Sequence, residues 1–199
     1  MLIIGSVALK HHGIFTGRKI SDLDIIGTYD QYKEYVKTNK ATKYYPLSGK
    51  KMFILLPDDR IVEWEVAWEG STGETLLHMT NSVVVTVYDN PDICYTLKMS
   101  HRFLRNNPHF KKTRDDIMML REHGHKIPDD FYDWDWFAKR EAETYDYGHP
   151  KLNLSKKDFF NTEGVTYTYD HDSIHEAVKL LDKPAYNYFK PDEREVLCS

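Results

Sequence analysis

The chain has 199 residues, enough for one large domain or two small ones, and its hydrophobic content of 41% and charged content of 29% are typical of a folded globular protein. A net charge of −4 and a pI near 6.2 argue against a protein that coats nucleic acids, because that role needs a strongly basic surface. No apolar run approaches the roughly 20 residues of a membrane span and no secretory signal opens the chain, so we expect no membrane partner.

Cysteine usage and composition indicate the compartment. Only Cys94 and Cys198 are present, far apart and without the spacing of a metal site, which predicts a reducing cytoplasm and no disulfide framework. The 14 tyrosines, together with frequent lysine and asparagine, are typical of AT-rich genomes, including those of phages. We therefore expect the cytoplasm of a bacterium or of a phage-infected host.

The first part of the chain alternates strands with helices. The patterns predict strands at Met1–Ile4 and Asp22–Gly27, helices at Val7–Lys10 and Asp30–Lys37, and three short strands from about Thr42 to Trp68. Such alternation followed by a hairpin predicts an α+β fold, α/β-like in its N-terminal part, with a small mixed sheet that carries helices on one face.

From Asp89 onward the sequence favours helices. Asn90 before Pro91 is a good helix start, and the patterns predict helices at Pro91–Arg105, Phe110–His123 and Ser173–Leu181. We therefore expect a first domain at residues 1–88 and a mainly helical domain at residues 89–199.

Two carboxylates in the second strand are the first candidates for chemistry. Asp22 and Asp24 project from the same face of an extended strand, while Leu23 and Ile25 project from the other face and can be buried. Two such carboxylates can share Mg²⁺ or Mn²⁺ ions, which complete their octahedral sites with water and phosphate oxygens.

A turn ahead of these acids has the character of a phosphate-binding turn. Gly5 allows the chain to turn tightly with its backbone close to a ligand, and Ser6 is expected to open the first helix. The N–H groups of that helix would then face a triphosphate.

A third carboxylate is expected from the strand Arg60–Trp68. Glu63 and Glu65 share one face of this strand, with Val62 and Trp64 on the other. We favour Glu63 as the third metal ligand and keep Glu65 as the alternative.

These residues resemble the nucleotidyltransferases of the DNA polymerase beta-like superfamily. The signature of that superfamily is an apolar strand, Gly-Ser or Gly-Gly, a helix, Asp-x-Asp on the next strand and a third acid on a later strand, and Gly5-Ser6, Asp22, Asp24 and Glu63 or Glu65 match it. The resemblance covers roughly residues 1–70. It implies that residues 1–88 form a catalytic domain that transfers a nucleoside monophosphate from an NTP to an acceptor and releases pyrophosphate.

The chain departs from the family pattern in two places: it begins directly on the first strand, without the helix that many members place before it, and one interval is long. The interval between Ser6 and Asp22 is longer than usual, which predicts that Gly13–Lys19 forms an extra loop near the site.

Basic residues in the helical part are candidates for phosphate binding. Lys98 belongs to a basic stripe with His101, Arg102 and Arg105 on one face of the predicted helix. If this stripe is functional, we expect it to contact a triphosphate or a polynucleotide backbone. Lys112 lies on the next predicted helix, in a segment similar to the basic, Asp-containing helix that follows the catalytic sheet in several nucleotidyltransferase groups. Lys112 could reach a phosphate there, and Asp116 could orient it or cap a neighbouring loop.

We therefore expect a transferase that uses Mg²⁺ or Mn²⁺ and an NTP, with Asp22, Asp24 and Glu63 as metal ligands and Glu63 or Glu65 as general base. Gly5, Ser6, Lys98 and Lys112 are the expected phosphate ligands. The acceptor stays open between an RNA end, a small molecule, a protein side chain and another nucleotide, and the modest pI favours a small molecule or a protein over a long polynucleotide.

Two alternatives belong to other classes. The same fold could be a non-catalytic module that binds a nucleotide or a partner. His171, Asp172 and His175 could instead form the metal site of a phosphohydrolase.

The segment Phe131–Phe137 mixes aromatic residues with Asp133 and Asp135, and we interpret it as helix packing with its acids toward water.

Overall fold

The computed structural model describes residues 1–41, 43–48, 50–100, 107–128 and 134–146. Several predictions fall outside these ranges. They concern the helix at Ser173–Leu181, the phosphohydrolase cluster of His171, Asp172 and His175, the basic residues His101, Arg102 and Arg105, and Phe131 to Asp133.

The described strands form one mixed sheet, as the sequence predicts. In chain order they are β1 (Leu2–Ile4), β2 (Asp22–Thr28), β3 (Lys43–Ser48), β4 (Lys51–Leu55), β5 (Ile61–Ala67) and β6 (Val87–Tyr88). Their order across the sheet is β3-β4-β5-β2-β1-β6. Strand β2 pairs antiparallel with β1 and parallel with β5, so the acidic segments of β2 and β5 are direct neighbours.

Helices fill the connections and the second part of the described chain. They are α1 (Gly5–His11), α2 (Tyr29–Thr38), α3 (Thr72–Met79), α4 (Pro91–Ser100), α5 (Asn107–Glu122) and α6 (Trp134–Asp146). Helix α4 begins at the predicted Pro91, with the Asn90 side chain accepting a hydrogen bond of 2.8 Å from the Ile93 N–H. Among the described helices, none has both the length and the apolar character needed to cross a bilayer.

The two faces of the sheet are covered unequally. One face contacts α1, α3, α4, α5 and α6 in a buried cluster that includes Leu2, Ile26 and Leu97. The other face carries Ile25 and Trp64 and is covered by α2 through Tyr32. Most described helices therefore lie on one face. Asp22 and Asp24 belong to the same face, because residues that alternate with Ile25 along β2 point away from α2.

One expectation about the first helix is wrong. Helix α1 begins at Gly5, Ile4 occupies the capping position, and no side chain caps the helix, so Ser6 lies inside the first turn. The reason is that Gly5 adopts φ +67° and turns the chain from β1 directly into the helix, which leaves no residue between them to act as a cap.

Candidate metal and nucleotide site

Three carboxylates meet on the face of the sheet that packs against α1 and α3 to α6. The parallel register of β2 and β5 pairs Asp24 with Glu63, and Asp22 lies two residues earlier on the same face of β2. One carboxylate oxygen from each of the three residues lies within 4.8 Å of the others. We call Asp22, Asp24 and Glu63 the carboxylate cluster. Its hard oxygen donors, held on two adjacent strands, suit Mg²⁺ or Mn²⁺.

Gly5 is required at this position for two reasons. Its φ of +67° is a conformation that side chains other than glycine rarely adopt. A Cβ at Gly5 would also lie 2.6 Å from Asp24 Oδ2, which is too close for any real contact. The turn between β1 and α1 therefore touches the carboxylate cluster through a bare backbone.

The structure separates the two candidates for the third acid. Glu63 lies with Asp22 and Asp24, and the Lys51 ammonium is 3.0 Å from Glu63 Oε2. Glu65 lies two residues further along β5 and accepts two hydrogen bonds from the Arg140 guanidinium of α6, the one from Nη2 being 2.8 Å long. Both partners of this second pair are buried, so Glu65 holds α6 against the sheet and lies outside the carboxylate cluster.

Within the carboxylate cluster Asp24 and Glu63 repel each other, and three nearby lysines oppose this effect. Burial and, to a smaller extent, the neighbouring Glu63 carboxylate raise the pKa of Asp24 to about 6 against the opposing effects of Lys51, Lys112 and Lys98. A divalent cation between the carboxylates would remove this repulsion.

Lys98 and Lys112 approach the cluster from α4 and α5. Both lie near enough to Asp24 to favour its ionised form. Burial lowers the pKa of Lys112, and the charge of Lys98 lowers it further. The structure thus brings both predicted lysines close to the carboxylates.

Asp116 connects three elements around the site. It is 1% exposed, its Oδ2 lies 2.9 Å from Lys98 Nζ, and its Oδ1 accepts a hydrogen bond from Arg18 in the loop after α1. Although burial opposes its ionisation, Lys98 and Arg18 hold the pKa of Asp116 below its usual value. Asp116 therefore positions Lys98 and also holds the predicted extra loop beside the site.

Sequence reasoning missed Lys51 and Arg18 as members of this neighbourhood. Lys51 could have been found from the hairpin, because its pairing opposite Glu65 puts it on the face that carries Glu63. Arg18 had no comparable signal, since its partner Asp116 is 98 residues away in the chain.

The fold and the carboxylate cluster define an α+β protein with a candidate divalent-metal site on the adjacent strands β2 and β5. Residues 93–199 match a protein family that is described as a domain of unknown function (DUF7275). The chain therefore belongs to this family. No curated protein and no solved structure matches the chain. The matched segment contains Lys98, Lys112 and Asp116, whereas the carboxylate cluster precedes it.

Proposed function

We propose that the protein is a metal-dependent nucleotidyltransferase that transfers a nucleoside monophosphate from an NTP to an acceptor hydroxyl and releases pyrophosphate. The observation that carries the proposal is the carboxylate cluster, in which Asp22, Asp24 and Glu63 each offer an oxygen within 4.8 Å of the others. Two lysines beside it supply the counter-charge that a triphosphate requires. The proposed NTP substrate is available in the cytoplasm, which we propose as the compartment.

The donor set fits the metal that this chemistry uses. Asp22, Asp24 and Glu63 would hold Mg²⁺ or Mn²⁺ through carboxylate oxygens, and the added charge would stabilise the ionised form of Asp24, which burial and Glu63 disfavour. When bound, the metal lowers the pKa of the acceptor hydroxyl and neutralises charge on the triphosphate.

The residues of the chain would supply positioning and proton transfer. Lys98 and Lys112 would hold the triphosphate, and the bare backbone at Gly5 and Ser6 would let a phosphate approach the turn. The acceptor oxygen forms a bond to the α-phosphorus, the bond from the α-phosphorus to the bridging oxygen breaks, and pyrophosphate leaves with that electron pair. Glu63 would accept the hydroxyl proton.

The direct test offers each α-³²P-labelled NTP with Mg²⁺ or Mn²⁺ to the purified protein, together with RNA, protein extract or small metabolites as acceptors. The test variant is Asp22→Asn/Asp24→Asn. Its matched control is Asp58→Asn/Asp59→Asn, which removes the same charge from the turn between β4 and β5. We expect label transfer by the native protein and the control and none by the test variant.

Other outcomes would be equally informative. Metal-dependent NTP binding without transfer to any acceptor would replace the enzyme with a nucleotide-binding module on the same fold. Absence of both transfer and metal-dependent NTP binding would overturn the proposal.

A further inference from the structure

The loop after α1 begins at a well-defined helix cap. Gly13 adopts φ +78°, its N–H donates to the Lys10 carbonyl at 3.0 Å, and the Ile14 N–H donates to the Leu9 carbonyl at 2.9 Å. This pair of hydrogen bonds is the Schellman arrangement, which ends a helix and reverses the chain. Ile14 then packs against the buried cluster beneath the sheet, so the loop starts from an anchored position.

A second anchor lies near the end of the loop. Arg18 donates to the buried carboxylate of Asp116, which also holds Lys98 beside the carboxylate cluster. The loop is therefore fastened at Ile14 and at Arg18, and it lies next to the proposed metal site.

Between these anchors the loop and α1 form an open cleft of about 430 Å³, which we call the loop pocket. The pocket is lined by Ser6 and Lys10, which are neighbours on one face of α1, and by the loop residues 14–20. Its volume falls within the range of about 300–1,000 Å³ that is usual for small-molecule sites.

The chemistry of the lining indicates a class of ligand. Lys10 and Lys19 contribute positive charge, Arg18 is paired with Asp116, and among the described residues that line the pocket none is acidic. Phe15, which also lines the pocket, is 70% exposed, so its ring is accessible to a ligand. Cations beside an exposed aromatic ring are the combination that binds a phosphate and stacks a base.

We propose that the loop pocket binds a nucleoside monophosphate unit, with its phosphate on Lys10 and Lys19 and its base on Phe15. The role of this unit rests on the proposed function: the unit is the acceptor. Its ribose hydroxyl attacks the α-phosphorus of the NTP, pyrophosphate leaves, and the hydroxyl proton passes to Glu63. Arg18 is held by Asp116 and serves as the anchor. Ser6, which lines the pocket, directly follows Gly5, whose backbone approaches the Asp24 carboxylate.

The binding test uses AMP and the full chain in EDTA, so that the carboxylate cluster holds no metal. Calorimetry compares the native protein with Lys10→Gln/Lys19→Gln and with Phe15→Ala. The matched controls are Lys33→Gln/Lys37→Gln and Tyr29→Ala, which change exposed residues of α2 on the opposite face of the sheet. We expect each pocket variant to raise the Kd for AMP about ten-fold or more, and each control to change it less than about two-fold.

Several outcomes would overturn the pocket. They are no AMP binding by the native protein, equal affinity in pocket variants and controls, or a loss of affinity confined to Asp22→Asn/Asp24→Asn. A 5′-phosphorylated oligoadenylate titrated in parallel shows whether the natural ligand is a free nucleotide or the end of a strand. Weaker binding than AMP indicates a free nucleotide. Tighter binding with the same dependence on Lys10, Lys19 and Phe15 indicates the end of a strand.

Kinetics separate this inference from the proposed function. With an active protein, the pocket variants should raise the KM for the acceptor nucleotide and leave the KM for the NTP unchanged; the reverse pattern assigns the pocket to the NTP and overturns the acceptor role. AMP binding that depends on the pocket, without any label transfer, would refute the proposed function and leave the binding site standing. Label transfer with unaltered AMP binding in the pocket variants would refute the pocket alone.

Discussion

Replacement of Gly5 by alanine tests whether the turn after β1 serves the carboxylate cluster. Two separate effects are expected, because Gly5 combines φ +67° with a close approach to Asp24. Gly124 offers the matched control: it adopts φ +84°, and a Cβ there would meet nothing within 4 Å. Gly124→Ala therefore carries the backbone cost without the steric one.

The magnitudes follow from the geometry. The left-handed conformation costs an alanine about 1–2 kcal/mol, so both variants should lose about that much free energy of unfolding. At Gly5 the new Cβ would also lie 2.6 Å from Asp24 Oδ2, whereas ordinary contact begins at 3.4 Å, so the carboxylate must move by about 0.8 Å. A misplacement of about 1 Å can cost about 100-fold in rate, and we expect a loss of that order in Gly5→Ala.

The assay combines urea denaturation, Mn²⁺ titration by calorimetry and label transfer. The expected result is similar destabilisation of the two variants, with weakened Mn²⁺ binding and transfer in Gly5→Ala only. If Gly5→Ala bound Mn²⁺ and transferred label as well as Gly124→Ala, the proposed contact between the turn and the metal site would be refuted.

The remaining predictions concern the acids. Glu63→Gln should weaken Mn²⁺ binding about ten-fold or more. Glu65→Gln should keep Mn²⁺ binding but lose about 3 kcal/mol of stability, because it leaves Arg140 buried without its ionic partner. Equal Mn²⁺ affinities in the two variants would contradict the assignment of Glu63 as the third metal ligand. Mn²⁺ affinity measured by calorimetry should rise as pH increases through about 6, where Asp24 ionises, and a flat profile from pH 5 to 7 would count against Asp24 as a ligand. Burial raises the pKa of Asp89 from 3.8 to about 8, so above pH 3.8 the folded state keeps a proton that the unfolded chain releases, and stability falls as pH rises toward 8. Asp89→Asn should therefore gain stability relative to the native protein between pH 5 and pH 8, by up to about 1.4 kcal/mol per pH unit in urea denaturation, and a constant difference would show that Asp89 is ionised.

Local sequence patterns predicted the parts of the site that depend on one element. Asp22 and Asp24 share a face because side chains alternate along any strand. Gly5 was recognisable because a glycine between a strand and a helix indicates a turn with a close backbone approach. A comparable signal for α3 was overlooked: Ser71 precedes Glu74 by three residues, and its side chain accepts the Glu74 N–H at 3.0 Å as a helix cap does.

The choice between Glu63 and Glu65 was beyond local patterns. Both acids lie on the same face of one strand, so alternation treats them alike. The register that pairs Asp24 with Glu63 separates them, together with Arg140, which is 75 residues away from Glu65 in the chain.

The sequence by itself determined which chemical groups this protein has and which of them share a strand face, because backbone geometry sets that spacing. The tertiary structure decided which acids meet, which lysines face them and how Asp116 joins α4, α5 and the loop. Those contacts depend on strand register and on charge pairs far apart in the chain, such as Arg18 with Asp116. Their stability comes from burial and charge balance, and both exist only once the chain has folded.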